Sequence, residues 1–506
     1  MMKIKFLGFI ALFFFLSGFS AGFKCSYASV FYYSPKIFSK DSVSKSDSLI
    51  LEKYREISSV RFSRSDFNPS QFISFTDLIR GRVPGMLISR TNGMPGGGSA
   101  ISLWGSNRPA VVIDGFSFVH YDKTDYSVVH PGQFKIRNYD ISYWVDPFLF
   151  INPSDIDSIE IIKNGFNSIF LSPDQSEGMI VINTIKPDES QKLKINYQGN
   201  ISYWKNPKVL PVYSASEFRN LLQERYPGNE EIISKLGTSS TNWQNKLFRS
   251  SLNNDHHIGL SASIPVINLP LRFSYGNTNS AGTIRTTRFE RNSIGLRLYK
   301  ELFNDHLTID AYKSFMQAEM RMPPGGTISD AIRFDPTQAV YDENSIFGGY
   351  YVYRYSDSSL VTHAPENPVG KTELTNRSGK KQVDLSLFKL NYKLHFFPSV
   401  SFNLLYAELQ DNYKDSLIVP TYAETYYYPN AIEEGGIRNN NQNKQRRQNF
   451  RASIRFDKYL PEIKSRIKAT AGYSMINQRN RFSYSSNNYN ETYIFQGKYS
   501  YKNSYD

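Results

Sequence analysis

Hydrophobic and polar side chains alternate with a period of two residues along much of the second half of the chain. In the run at 193–203, Leu193, Ile195, Tyr197 and Ile201 fall on one face, and polar side chains fall on the other. This period predicts a β-strand with two unlike faces. The pattern predicts ten strands, at 193–203, 258–264, 271–275, 294–298, 307–311, 388–396, 400–406, 450–456, 467–475 and 493–501.

The connections between these strands alternate in length. Short connections are predicted at 265–270, 299–306, 397–399 and 457–466, and longer ones at 205–257, 276–293, 312–382, 407–449 and 477–492. An outer-membrane barrel has short turns at one end and long loops at the other. Any one strand fits a soluble sheet equally well, but ten strands with alternating connections predict a membrane β-barrel.

The region before the strands, residues 60–187, follows a different pattern. Short runs at 86–89, 101–104, 110–113, 158–163 and 179–183 predict strands. Phe75, Leu78 and Ile79 recur at helical spacing within 74–81, which predicts a short helix. We expect a mixed α/β domain that is large enough to hold its own core.

The order of charged and apolar residues at the N-terminus predicts a secretory signal peptide. Lys3 and Lys5 precede an apolar stretch at 6–19, which is too short for an ordinary spanning helix. We therefore divide the chain into a signal peptide (1–28), a mobile N-terminal segment (29–59), the mixed domain (60–187) and the strand region (188–506). A signal peptide followed by a membrane β-barrel predicts export to the outer membrane of a Gram-negative cell.

Catalysis and metal binding find no support in the residues. One cysteine excludes both a disulfide framework and a cysteine-based zinc site, and the adjacent His256 and His257 would face opposite sides of a strand. The glycine-rich loop at 93–99 lacks a following Gly-Lys-Ser/Thr, and Gly-x-Ser-x-Gly is absent. The net charge of +13 is spread along the chain, which argues against nucleic acid. We expect no enzyme activity, no cofactor and no metal.

Five ordered blocks in the mixed domain resemble the plug domain of TonB-dependent outer-membrane transporters of the SusC/RagA type. The blocks are LIRGRVPGMLISR (78–90), NGMPGGGSAISLWGS (92–106), PAVVIDGFSF (109–118), INPSDIDSIEIIKNG (151–165) and EGMIVINTIKP (177–187). Trp104 stands where an arginine is usual in this family, and 168–172 lacks the usual Tyr-Gly pair. The residues that match the plug motif are Gly81, Arg82, Pro84, Gly85, Gly93, Pro95, Gly96, Asp114, Gly115, Asn152, Pro153 and Asp155.

The resemblance implies active import of a nutrient, an oligosaccharide or a peptide, across the outer membrane. It implies as partners the TonB complex in the periplasm, a SusD-like surface lipoprotein and the outer-membrane lipid. A short stretch that pairs with TonB as an added strand, the Ton box, is expected in the N-terminal segment. The candidate Ton box residues are Ser48, Leu49, Ile50, Leu51, Glu52, Lys53 and Tyr54.

Several plug residues are expected to hold the plug inside the barrel. Arg80 and Arg82 are predicted to seat it against carboxylates of the lumen. Asp155, Asp157 and Glu160 are expected to be surface residues or plug-to-barrel ion-pair partners. Polar contacts in a wet lumen would let the plug be remodelled by a pull from TonB without breaking the hydrogen bonds between barrel strands.

The strand count departs from the family. The resemblance implies a barrel of 22 strands around the plug, whereas ten are predicted here. We therefore interpret the chain as the plug and the N-terminal part of a barrel, from a truncated gene, a split gene or a fragment. Two alternatives remain open: a plug-bearing surface receptor that signals without transport, and a non-functional remnant.

Overall fold

The structure is a computed structural model of the 506-residue chain. It describes residues 30–34, 59–67, 72–90, 92–105, 109–118, 127–129, 135–137, 146–162, 178–187, 192–205, 208–265, 267–357, 359–361, 363–423, 436–460, 465–488 and 491–505. The predicted signal peptide and the candidate Ton box lie outside these ranges, as does the departure at 168–172.

Most of the described chain is strand. The first ten strands are β1 (Val30–Ser34), β2 (Ser59–Ser63), β3 (Met86–Arg90), β4 (Ser99–Leu103), β5 (Ala110–Ile113), β6 (Phe116–Phe118), β7 (Ser127–Val129), β8 (Lys135–Arg137), β9 (Ile156–Ile162) and β10 (Met179–Thr184). The next ten are β11 (Lys194–Trp204), β12 (Ser251–Ile264), β13 (Leu269–Ala281), β14 (Arg288–Leu302), β15 (Leu307–Met322), β16 (Asn376–Lys393), β17 (Val400–Val419), β18 (Ile437–Leu460), β19 (Ser465–Asn488) and β20 (Glu491–Tyr505).

Short helices connect some of these strands. They are α1 (Phe75–Ile79), α2 (Ala215–Arg225), α3 (Glu230–Ile233), α4 (Trp243–Leu247), α5 (Thr327–Arg333) and α6 (Pro368–Leu374). Two 3₁₀ turns lie at Arg64–Asp66 and Pro153–Asp155. In the part of the chain that the structure describes, no helix is long and apolar enough to cross a membrane.

The strands β11 to β20 form one antiparallel sheet in chain order, each hydrogen-bonded to the next. Each of the ten predicted strands overlaps one of them, so this prediction is confirmed. Strand β1 pairs with β19, at the stretch of β19 that β20 leaves free. Among the described strands β11 pairs on one side only, so they form an open sheet rather than a closed ring.

In this sheet polar side chains are buried on the inward face and apolar side chains are exposed on the outward face, which is the reverse of a soluble protein. On β12 the inward side chains Asn253, Asp255 and His257 are buried. The outward side chains Leu252 and Ile258 are exposed, at 65% and 38% of their surface. Apolar side chains facing out and polar ones facing in are typical of a barrel whose outer face contacts lipid.

The loop lengths differ from the prediction in part. The connections 205–250 and 323–375 are long, and 265–268, 303–306, 394–399 and 461–464 are short, as expected. The loops predicted at 276–293, 407–449 and 477–492 are much shorter in the structure, because the flanking strands extend through most of these ranges. Strands β18 and β19 pair over their whole length, including the polar residues Arg438–Arg447. Backbone hydrogen bonds hold such a polar ladder together, so it needs no apolar face.

The mixed domain forms a second sheet against the inward face of the first. Its order is β2-β9-β10-β5-β6, with β5 and β10 parallel and the other pairs antiparallel. The hairpin β3–β4 and helix α1 lie beside this sheet. Phe75, Ile113, Ile159 and Ile180 are completely buried in its core. We call this domain the plug and the large sheet the barrel sheet.

The two long connections pack into a lobe at one end of the barrel sheet. Trp243 of α4 lies 4.4 Å from Phe334 between ring centroids, and its indole nitrogen donates a hydrogen bond to the Asp335 carbonyl at 2.8 Å. Tyr350 and Val369 join the same apolar cluster. The long loops are therefore folded structures and not extended linkers.

Candidate functional site

The first contact between plug and barrel sheet is built on the turn after β5. The strand Val111–Ile113 is buried and ends at Asp114 and Gly115, whose φ angles are 47° and 84°. Glycine adopts this backbone conformation without strain, and aspartate tolerates it. The turn points the Asp114 carboxylate back at Thr184, whose backbone N–H donates to it at 3.1 Å.

The carboxylate of Asp114 also meets a buried arginine of the barrel sheet. Arg297 of β14 lies 3.1 Å from Asp114 and donates in bidentate fashion to Asp310 of β15, at 2.8 and 2.6 Å. Arg297 also donates to the carbonyl and hydroxyl oxygens of Thr184. Its side chain is 2% exposed. Lys389 lies 3.6 Å from Asp310, so two cations face the two buried carboxylates and neither carboxylate is left without an opposite charge.

The second contact lies at the Pro153–Asp155 turn. Asn152 caps this turn through its side chain, which accepts from the Ser154 N–H at 2.9 Å, and its amide donates to Ser293 of β14 at 2.9 Å. Asp155 faces three groups of the barrel sheet, and together they surround its carboxylate. They are His257 at 3.0 Å, Arg272 at 3.3 Å and the hydroxyl of Ser274 at 3.0 Å.

This environment favours the charged form of Asp155. Burial alone would raise the pKa of the carboxyl, but the hydrogen bond and charge of His257, with the charge of Arg272, hold the pKa below its usual range. Because the pKa of Asp155 is lower in the folded chain than in the unfolded chain, the contact contributes its full stabilisation at pH values above the pKa of the unfolded chain. This stabilisation is lost as the pH falls through the pKa of Asp155 in the folded chain. The contact therefore persists at neutral pH.

One barrel strand carries a large share of the contacts. Alternate residues of β14 face the plug: Arg291 donates to the Ile73 carbonyl at 2.5 Å, Ser293 accepts from Asn152, and Arg297 meets Asp114. Phe289 lies against Gly96, where any side chain would collide with the phenyl ring. The spacing of two residues places all four on one face of the strand.

We call the polar contacts of Asp114, Asn152 and Asp155 with the barrel sheet the polar seam. A second contact surface, the apolar seam, lies further along the sheet. Here the plug core and inward side chains of β15 to β17 form one buried apolar cluster. The barrel residues of the apolar seam are Tyr312, Met316, Ala318, Met320, Met322, Val383, Leu385, Leu387, Leu405, Ala407, Leu409 and Tyr413.

A buried carboxyl supports the glycine-rich loop of the plug. Asp146 accepts from the Ser99 hydroxyl and from the Phe148 N–H, each at 2.9 Å, and its own N–H donates to the Gly96 carbonyl at 3.0 Å. Burial raises the pKa of Asp146 to about 6, although these hydrogen bonds oppose the change. The protonated carboxyl is thus favoured in the folded plug below about pH 6.

Arg80 and Arg82 do not seat the plug as predicted. Arg80 pairs with Asp77 at 3.0 Å, and Arg82 donates to the carbonyls of Asp66 and Leu78 while lying over the Phe62 ring. All of these partners belong to the plug. In the polar seam the plug supplies the carboxylates and the barrel sheet supplies the cations. Arg80 and Arg82 therefore find their partners within the plug.

The remaining motif residues shape the turns of the plug. Gly81, Pro84 and Gly85 lie in the exposed turns between α1 and β3, and Gly85 has the Trp104 indole directly over its α-carbon. Gly93 is exposed and Pro95 is buried in the glycine-rich loop. Of the predicted motif residues, the structure therefore brings Gly96, Asp114, Asn152 and Asp155 to the barrel sheet.

The sequence alone did not single out the barrel partners. Arg291 and Arg297 are completely or almost completely buried, yet in the sequence they look like the polar face of any strand. Arg297 falls in the predicted strand 294–298, but Arg291 falls in the predicted loop 276–293, so the pattern did not place the two arginines on one face of a strand. His257 was expected to face away from His256, and the structure confirms this, with His256 near Tyr197 and His257 on Asp155.

The described residues contain no group of three or more His, Cys, Asp or Glu side chains placed to hold a metal ion. The site consists of buried charge contacts between two domains. Such contacts hold a plug in position without covalent bonds.

Comparisons with known proteins agree with this architecture. The family model described as TonB-dependent Receptor Plug Domain matches residues 53–179. The TonB-dependent receptor SusC of Bacteroides thetaiotaomicron is 27% identical over 372 residues, covering 69% of this chain and 35% of that protein. The TonB-dependent receptor P26 of Formosa agariphila is 23% identical, covering 65% of this chain and 31% of that protein.

The fold has solved counterparts. The structure of the RagAB peptide transporter matches with a TM-score of 0.61 at 14% identity, over 88% of this chain and 52% of that chain. The ferric citrate transporter FecA matches with a TM-score of 0.51 at 11% identity. This chain spans about a third of the length of the curated relatives it matches. Residues 53–179 thus match the plug domain of TonB-dependent receptors, and the chain is similar in sequence to SusC and in fold to RagAB.

Proposed function

We propose that this chain takes part in TonB-dependent import of a nutrient across the outer membrane, with a plug that TonB remodels by pulling. The observation that carries the proposal is the polar seam, in which Asp114 and Asp155 of the plug rest on buried cations of the barrel sheet. This arrangement puts a separately folded domain in the path that a barrel would enclose. Opening such a path requires that the domain be moved.

The physical chemistry of the two domains supports that movement. The barrel strands are joined by continuous backbone ladders, whereas plug and barrel sheet meet through side chains. Side-chain ion pairs can exchange their partners for water as the plug shifts. The backbone ladders stay intact, so the barrel sheet survives each transport cycle.

The proposed substrate is an oligosaccharide or a peptide. RagAB, whose barrel shares this fold, is described as a peptide transporter. The folded lobe of the connections 205–250 and 323–375 would lie on the extracellular side, where long loops are found in outer-membrane barrels. A SusD-like lipoprotein is the proposed partner at this lobe, and lipid the proposed partner of the apolar outward face.

TonB would bind the candidate Ton box, residues 48–54, as an added strand. The test is uptake of labelled oligosaccharides and peptides by cells that carry the complete gene. Ile50→Pro removes a backbone donor from the added strand and is expected to lower uptake by about tenfold or more. Ser42→Pro, in the same segment but outside the candidate Ton box, serves as the control.

Labelled oligosaccharides and labelled peptides are supplied to the cells in separate experiments, so the result also identifies which class of substrate is imported. Equal uptake by the Ile50→Pro and Ser42→Pro variants would refute the proposed Ton box. Absence of uptake by the unmodified protein, at normal levels in the outer membrane, would refute import itself.

A further inference from the structure

Arg64 lies where the N-terminal segment enters the plug. It follows β2 directly and begins the 3₁₀ turn Arg64–Asp66. Strand β2 is an edge strand of the plug sheet, since β9 is its one neighbour among the described strands. A pull on the N-terminal segment would therefore reach β2 first and Arg64 immediately after it.

The guanidinium of Arg64 joins three separate parts of the molecule. One nitrogen donates to the carbonyls of Ser154 and Ile156, at 3.0 and 3.4 Å. The other nitrogen donates to the side-chain carbonyl of Gln198 on β11, at 3.3 Å. Arg64 thus connects the start of the plug with the Pro153–Asp155 turn and with the barrel sheet.

The two carbonyls that Arg64 holds flank Asp155 in the sequence. Asp155 carries the contacts to His257, Arg272 and Ser274 in the polar seam. The planar fork of arginine directs one nitrogen at both carbonyls and the other nitrogen at Gln198 in a fixed orientation, which the single ammonium of lysine cannot do. Loss of Arg64 would leave both carbonyls without this donor and free the turn to move.

We propose that Arg64 is a positioning residue that couples the pulled strand β2 to the Asp155 contacts of the polar seam. The inference rests on the proposed function and deepens it, because it names where a pull on the N-terminal segment first acts on the plug-to-barrel contacts. When β2 moves, Arg64 leaves the turn, and Asp155 loses the geometry that it needs to meet its barrel partners.

Arg61 offers a matched control on the same strand. It carries the same charge three residues earlier in β2, and its side chain is exposed. The first measurement is hydrogen exchange of the full protein in outer-membrane vesicles, without TonB. Arg64→Ala is expected to speed exchange at 152–158 by about tenfold, whereas Arg61→Ala matches the unmodified protein.

Two further readouts separate coupling from general loosening. Exchange at 110–118, around the Asp114 turn, is expected to stay unchanged in Arg64→Ala. Arg64→Lys is expected to restore part of the protection at 152–158, because it keeps the charge but offers no planar fork. Equal exchange at 152–158 in the Arg64→Ala and Arg61→Ala variants would overturn the proposal.

The second measurement applies force through an immobilised periplasmic domain of TonB. In the unmodified protein, release of β2 and loss of protection at 152–158 are expected in the same event. In Arg64→Ala, β2 is expected to come free at lower force while the turn stays behind. If the unmodified protein does not bind TonB, the proposed function fails, and the exchange measurement still decides the role of Arg64.

Discussion

The polar seam and the apolar seam attach the same plug to the same sheet through different kinds of interaction. The polar seam uses a few directed contacts, such as Asp114 on Arg297, and each needs a particular geometry. The apolar seam uses broad, non-directional burial on β15 to β17. The difference suggests separate tasks, in which the polar seam sets the position of the plug and the apolar seam adds adhesion.

The two seams should also respond differently to disturbance. Removing one partner of a buried ion pair leaves a charge without compensation, which costs more than the pair itself contributes. Removing part of an apolar contact costs roughly in proportion to the volume lost. Single substitutions can therefore distinguish the seams by size of effect and by dependence on pH.

The largest effect is expected at Arg297. Arg297→Ala leaves the buried carboxylates of Asp114 and Asp310 without their shared cation, and should destabilise plug seating by about 3–5 kcal/mol. Hydrogen exchange at 110–118 measures the loss. Arg288→Ala on the same strand, with a side chain 61% exposed, is the control and should change little. Similar exchange in both variants would contradict a positioning role for the polar seam.

A somewhat smaller effect is expected in the apolar seam. Leu385→Ala opens a cavity at a side chain that is 1% exposed, and should cost about 3 kcal/mol. The cost should be the same at every pH, because no titrating group takes part. Thermal unfolding of the plug in detergent measures it. Leu296→Ala, which faces outward and is 38% exposed, is the control; a pH-dependent cost at Leu385 would refute the division into seams.

The smallest effect is expected at Asp146, which supports the loop that Phe289 contacts. Because its pKa is raised to about 6, the folded plug binds more protons than the unfolded chain between about pH 4 and pH 6. The free energy of unfolding should therefore fall by about 2 kcal/mol from about pH 4.5 to about pH 7. Asp146→Asn should remove this slope, and Asp66→Asn, at an exposed carboxyl, should not.

The periodicity of the sequence was enough to predict the strands but not their ends. Strand β18 begins at Ile437, within a stretch rich in asparagine and arginine that looks like a loop. Its pairing with β17 and β19 is specified by the neighbouring strands rather than by its own composition. Tertiary context thus decided where a polar segment became sheet.

The candidate site was predictable on the plug side. The sequence offered two roles for Asp155, a surface residue or a plug-to-barrel ion-pair partner, and the structure shows the second. The partners were not predictable, because pairing Asp155 with His257 and Arg272 requires the register of two strands more than 100 residues away. Arg80 and Arg82 were assigned to the barrel sheet, but the structure gives them partners within the plug, because the plug side of the polar seam is acidic.

The concentration of plug contacts on β14 also bears on how the molecule is assembled. The described cations and the histidine of the polar seam lie on β12 to β14, between His257 and Arg297, among the first strands to follow the plug in the chain. Closing a shorter loop of chain loses less entropy than closing a longer one. The plug can therefore dock on these strands early in folding, and the later strands can add to a sheet that already holds it.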